Sequence, residues 1–127
     1  MAYRFQLSGG YTMTPLGSGL SFVPNVDAPI DETTQLTKKM VDTVTLDVDA
    51  PVSVGFGGVA NANIVLLKVT YGASVRARIT SAAGVEQSIP FDTYLILMSM
   101  ENPITAIDLT RTPATETEVE VILGEQG

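Results

Sequence analysis

The chain predicts an all-β fold: a two-sheet antiparallel sandwich, jelly-roll-like, with an extended N-terminal arm. Three observations lead there. From Met40 to Leu123, short runs of alternating apolar and polar residues recur about every ten residues, with turn residues between them. No segment has a confident helical period. About eight such runs follow residue 39, and eight strands in so short a span suit a two-sheet sandwich, of which the jelly roll is the eight-stranded case. The proposed division is an arm over residues 1–39 and a sandwich over 40–127.

The first strand is read at Tyr3 to Leu7, where Tyr3, Phe5 and Leu7 alternate with Arg4 and Gln6, closed by Ser8, Gly9 and Gly10. The stretch from Tyr11 to Lys39 is rich in Gly, Pro, Thr and Ser. Leu20 and Phe22 suggest a brief strand within it. Asp31 to Met40 reads as a short helical turn opened by Asp31, weakened by Thr33, Thr34 and Thr37. A structureless loop of this length is unusual in a compact domain. Tyr11, Met13, Leu16, Leu20, Phe22 and Val26 make it too apolar for a free linker. The reading is an arm that docks on the domain or on a neighbouring subunit.

The regular rhythm then begins. Met40 to Val48 sets Val44, Leu46 and Val48 on one face. Alternation resumes at Val52, Val54 and Phe56 and stops at Gly57 and Gly58. Ile64 to Tyr71 opens apolar on both faces, which predicts a central strand. Beyond the turn at Gly72 and Ala73, Val75, Ala77 and Ile79 point inward with Arg76 and Arg78 outward. A turn at Ala83 and Gly84 precedes Val85 to Phe91. Tyr94 to Met100 is again apolar on both faces. Thr105 to Thr110 and Val119 to Leu123 complete the series.

Composition narrows the chemistry. The 127 residues include no His, Cys or Trp. Serine–histidine and cysteine–histidine catalysis are therefore impossible, and disulfides and thiolate-bound zinc are excluded. The chain is read as non-enzymatic, with no cofactor. A net charge of −7, with Lys38–Lys39 as the only adjacent basic pair, argues against a nucleic-acid partner. No apolar run approaches the ~18–20 residues of a membrane-spanning helix. The opening residues lack a secretory-signal layout, so synthesis in a cytosol is expected. Charged residues make up 17%, against a usual ~25%. Such a surface suits burial against a partner; an ordinary threonine-rich β surface is the other reading.

Few side chains single themselves out. Asp47 and Asp49 share a strand face and could offer oxygen ligands to calcium, although two solvated strand-end carboxylates is the stronger reading. Gly55, Phe56, Gly57 and Gly58 lack the Lys-Ser/Thr of a phosphate loop and read as a turn or bulge. Arg76 and Arg78 are two of only four arginines, alternating on one outward face. Glu116, Glu118 and Glu120 form a matching acidic stripe. The plainer reading pairs the arginines across strands with acids of their own sheet, and the sharper one directs them to another subunit or an acidic partner; the glutamates are candidate partners within the sheet or across a subunit boundary.

From Asn63 to Gly124 the chain resembles the small β-sandwich structural proteins of tailed bacteriophages. The residues that carry the likeness are the runs Asn63–Val69, Ser74–Ile79, Thr93–Leu97, Ile104–Thr110 and Val119–Gly124. The resemblance implies a virion component, made in the host cytoplasm. It would be a capsid decoration (cement) protein, often trimeric, that clamps neighbouring capsid subunits. On that reading Tyr3, Phe5, Tyr11, Leu16, Leu20 and Phe22 anchor the arm in apolar grooves, and Arg76 and Arg78 meet an acidic surface. A tail, neck or fibre-base component is one alternative. A carbohydrate- or small-ligand-binding module is another, with Tyr71, Phe91 and Tyr94 as its candidate aromatics.

Overall fold

A computed structural model describes residues 3–9 and 30–126, with side chains described for Arg4 and for residues 36–126. Among the described residues every regular element is a strand. They are β1 (Tyr3–Gly9), β2 (Ile30–Leu36), β3 (Lys38–Leu46), β4 (Val52–Ser53), β5 (Ile64–Tyr71), β6 (Val75–Ser81), β7 (Glu86–Phe91), β8 (Tyr94–Met98), β9 (Ile104–Arg111) and β10 (Thr117–Glu125).

Eight of them form two four-stranded antiparallel sheets, ordered β3-β10-β5-β8 and β4-β9-β6-β7. The pairs β3·β10, β4·β9, β5·β8 and β6·β7 nest one inside the next along the chain. This is a long antiparallel ribbon rolled into two layers, the jelly-roll winding.

The core lies between the layers, and period-2 alternation supplies it. Val75, Ala77 and Ile79 of β6 and Val119, Val121 and Leu123 of β10 are buried, as are Leu46, Val65, Leu67, Ile107 and Leu109. β-branched and leucine side chains fit the half-buried pleated surface, which is why these runs settle as strands. Outward neighbours on β6, Arg76 and Arg78, are exposed.

The turn between β5 and β6 depends on Gly72, whose φ is +104°. A Cβ there would lie 2.6 Å from the Glu116 carbonyl oxygen and 2.8 Å from the Thr117 Cα. Only a residue without a side chain fits beside that backbone.

Two buried polar side chains are satisfied within the chain, one of them across long stretches of sequence. Asn63 Nδ2 donates to the Ser99 carbonyl at 3.0 Å, and Asn63 Oδ1 accepts from the Gln126 N–H at 2.8 Å. Thr117, fully buried, donates to the Thr115 carbonyl at 3.0 Å. Neither leaves a buried polar atom unpaired.

The structure corrects several readings. Asp31 to Met40 is no helical turn: Ile30–Leu36 and Lys38–Leu46 are both strands. Ladder bonding to β1 and β10 overrides a weak local preference there. Val48 lies beyond β3 and is exposed, and β4 ends at Ser53. β5 is central, between β10 and β8, but β8 is an edge strand despite the same both-face apolar pattern. The brief strand read at Leu20 and Phe22 lies outside the described residues.

β1 and β2 pair in register, Tyr3 opposite Leu36 and Gly9 opposite Ile30, as a separate two-stranded ribbon. One residue, Thr37, separates the ribbon from the sandwich, and its N–H donates to the Glu125 carbonyl at 2.8 Å. Leu36 is buried over the outer face of the first sheet. A Cβ on Gly124 would come within 2.4 Å of a Leu36 methyl carbon, so the bare glycine makes room for it. Ile64, in register with Gly124, also points outward and is fully buried, apart from the central core.

Candidate functional site

Two sheet faces, a carboxylate cluster and a cleft stand out on the sandwich. The first is the outer face of the sheet β3-β10-β5-β8. Its ladder registers place Val41 opposite Ile122, Ile122 opposite Leu66, and Leu66 opposite Ile96. Four aliphatic side chains thus cross all four strands in one row. Val41 is 59% exposed and Ile96 39%. The next row runs Thr43, Glu120, Lys68, Tyr94. Lys68 Nζ stands 5.6 Å from the centre of the Tyr94 ring, a cation–π distance, while the ring stays 53% exposed. Contiguous exposed apolar surface of this kind marks interaction sites more often than solitary apolar residues do.

The second is the outer face of β6 and its neighbours. Arg78 pairs with Asp108 on β9, and Asp108 also accepts from Ser53 Oγ at 2.7 Å. Arg76 donates to Ser88 Oγ on β7 at 3.2 Å. The two bonds from Arg78 and Ser53, with the guanidinium charge, hold the Asp108 carboxyl below its ordinary pKa. Arg78 thus finds an acid of its own sheet, as the plainer reading had it, whereas Glu118 and Glu120 belong to β10 in the other sheet, so their same-sheet pairing with the two arginines is corrected. Rolling the ribbon into two layers separates stripes that alternation alone would let meet. Arg78 is satisfied within the chain, and Arg76 has only a neutral hydroxyl among the contacts described.

Asp49 belongs to the carboxylate cluster. Its Oδ1 accepts from the Ala114 N–H at 2.9 Å and from Arg111 Nε at 3.0 Å. The Ala114 N–H, then the Arg111 guanidinium, lower its carboxyl pKa. This carboxylate pins a turn in which Ala114 holds a φ of 60°. The calcium reading of Asp47 and Asp49 gains no third ligand: no group of three or more potential ligands exists among the described residues.

A cleft of about 250 Å³ has both sheets in its lining, which includes Ile79, Val85, Leu97, Met98 and Ile104 together with polar Gln87 and Asn102. It is smaller than ordinary ligand pockets, ~300–1,000 Å³. None of its lining residues is aromatic. Of the ring candidates for a ligand module, Phe91 is in the core, while Tyr71 and Tyr94 are exposed.

Of the arm residues, Tyr3 and Phe5 fall within β1, whose backbone alone is described. Tyr11, Leu16, Leu20 and Phe22 lie outside the described residues. The apolar row across the first sheet went unread in the sequence, because it joins residues from four strands whose order was unknown. Its only trace was the both-face apolar character of Ile64 to Tyr71 and Tyr94 to Met100. No protein-family model, curated protein or solved structure matches the chain.

Proposed function

We propose that this protein is a non-enzymatic structural component of a virion, of the capsid decoration type, made in the host cytoplasm and docked on neighbouring coat subunits. The observation that carries the reading is the β1–β2 ribbon, which among the described residues forms a sheet separate from the two four-stranded ones. A lone two-stranded ribbon is marginal in water and gains stability only against another surface. Its outer edges are templates for strand pairing with a neighbour. A jelly roll by itself serves capsid proteins, lectins and other classes alike, so the fold is analogy and the ribbon is the argument. The charge-poor, threonine-rich surface and the absence of histidine and cysteine support the same reading.

The test is cosedimentation with tailed-phage coat shells, comparing the full chain with one lacking residues 1–36. The full chain is expected to saturate a fixed number of sites per shell. The shortened chain, checked by its thermal melt to retain the sandwich, is expected to bind at least tenfold more weakly. Equal binding by the two would overturn the role of the ribbon. Absence of binding by the full chain to any shell would overturn the decoration role.

A further inference from the structure

We infer that the open edge of β8 is a self-association site, where a second copy of this chain adds its own β8 antiparallel across a two-fold axis. The inference concerns copies of this chain alone and does not rest on the virion reading.

Four strands form the outer edges of the two sheets: β3, β8, β4 and β7. Exposed edges invite pairing, and proteins blunt them with charge, proline or brevity. β3 carries Lys38, Lys39 and Asp42; β4 is two residues long; β7 carries Glu86 and Pro90. β8 reads Tyr94, Leu95, Ile96, Leu97, Met98, with no charge, proline or glycine. In a chain of net charge −7, it is, among the described edges of the two sheets longer than two residues, the one on which two copies meet without like charges opposed.

The hydrogen bonding leaves this edge ready. The Val69 N–H donates to the Thr93 carbonyl, and the Ser99 N–H to the Asn63 carbonyl. With the β5·β8 register, these bonds fix the alternation. Leu95 and Leu97 spend their backbone groups on β5. Tyr94, Ile96 and Met98 aim theirs at the open side, where no described strand pairs with them.

The side chains are self-complementary. An antiparallel pair centred on Ile96 sets Ile96 against its own copy, Leu95 against Leu97 of the second copy, and Tyr94 against Met98 of the second copy. The contact is isologous, as a two-fold requires. It makes about six backbone hydrogen bonds. It also joins the aliphatic row Val41, Ile122, Leu66, Ile96 to its equivalent, extending one apolar band over eight strands. A contact of five residues a side is small, so the dimer is reversible and builds up with concentration.

Because the chain has no cysteine, single cysteines report the geometry cleanly. Light scattering over a concentration series is expected to rise from 13.4 kDa toward twice that mass. Ile96→Lys, at a half-exposed position, is expected to keep the thermal melt and return the mass to the monomer. Under mild oxidation Ile96→Cys is expected to give a covalent dimer many times faster than Val41→Cys. Val41 is the control because it is more exposed and lies in the same row, on the opposite edge strand. Three results would each overturn the inference: a mass of 13.4 kDa throughout, a three-copy mass insensitive to Ile96→Lys, or equal linking by the two cysteine variants. The three-copy mass would instead fit the trimer that the phage resemblance implies.

Discussion

Two residues hold this sandwich together out of proportion to their size. Gly72 turns the chain at φ +104° with the Glu116–Thr117 backbone against its α-carbon. Gly72→Ala adds both left-handed strain and a clash with backbone that cannot swing aside, so it is expected to cost about 2–4 kcal/mol in urea unfolding. Asn63 bonds Ser99 and Gln126 at once from a buried position. Asn63→Ala strands the Gln126 N–H and the Ser99 carbonyl, and about 1–3 kcal/mol of stability should go with it. The sequence marked Gly72 as a turn, because Gly before Ala between two apolar runs is turn chemistry. It did not mark Asn63, whose partners are 36 and 63 residues away.

Among the elements, the rhythm from Ile64 onward was legible because each strand there buries one face, and burial writes a period of two into the residues. The segment Ile30 to Lys39 was not. It falls on a two-stranded ribbon outside the two sheets and on the start of the edge strand β3, where Lys38 and Lys39 are exposed and no burial shows as alternation. Among the described residues, the ribbon meets the sandwich through Leu36 seated over Gly124. Gly124→Val fills that seat. It is expected to raise protease sensitivity within residues 1–36 at least several-fold and to leave the melt of the sandwich nearly unchanged, since Leu36 stands outside the core cluster. Equal protease protection in the variant would mean that the ribbon is held elsewhere.

At the scale of the whole molecule, two carboxylates shape the response to acid. Asp49 and Asp108 both titrate lower when folded than unfolded. A folded pKa below the unfolded value contributes stability that is present above the unfolded value, ~3.9, and is lost as pH falls through the folded one. The melting temperature is therefore expected to hold from neutral pH to about 5 and to fall below about 4. Asp108→Asn should be less stable than the parent at neutral pH and should lose part of that acid slope. A parallel acid slope in parent and variant would show that other carboxylates govern it. The proposed docking role also belongs to this scale. It needs a sandwich that is stable alone and a ribbon that is not, the division that the separate two-stranded sheet suggests.

By itself the sequence determined the all-β class, the eight-strand count after the arm, the inward set on β6 and β10, and the lack of histidine or cysteine chemistry. These are local properties, set by alternation, turn residues and composition. Only the tertiary structure decided which strands are neighbours. That choice separated the arginines of β6 from the glutamates of β10 and aligned Val41, Ile122, Leu66 and Ile96 in one row. It also left β8 on an edge though its residues read like those of central β5. Strand order is a matter of long-range pairing, and the period of two is the same whichever strand comes to lie alongside.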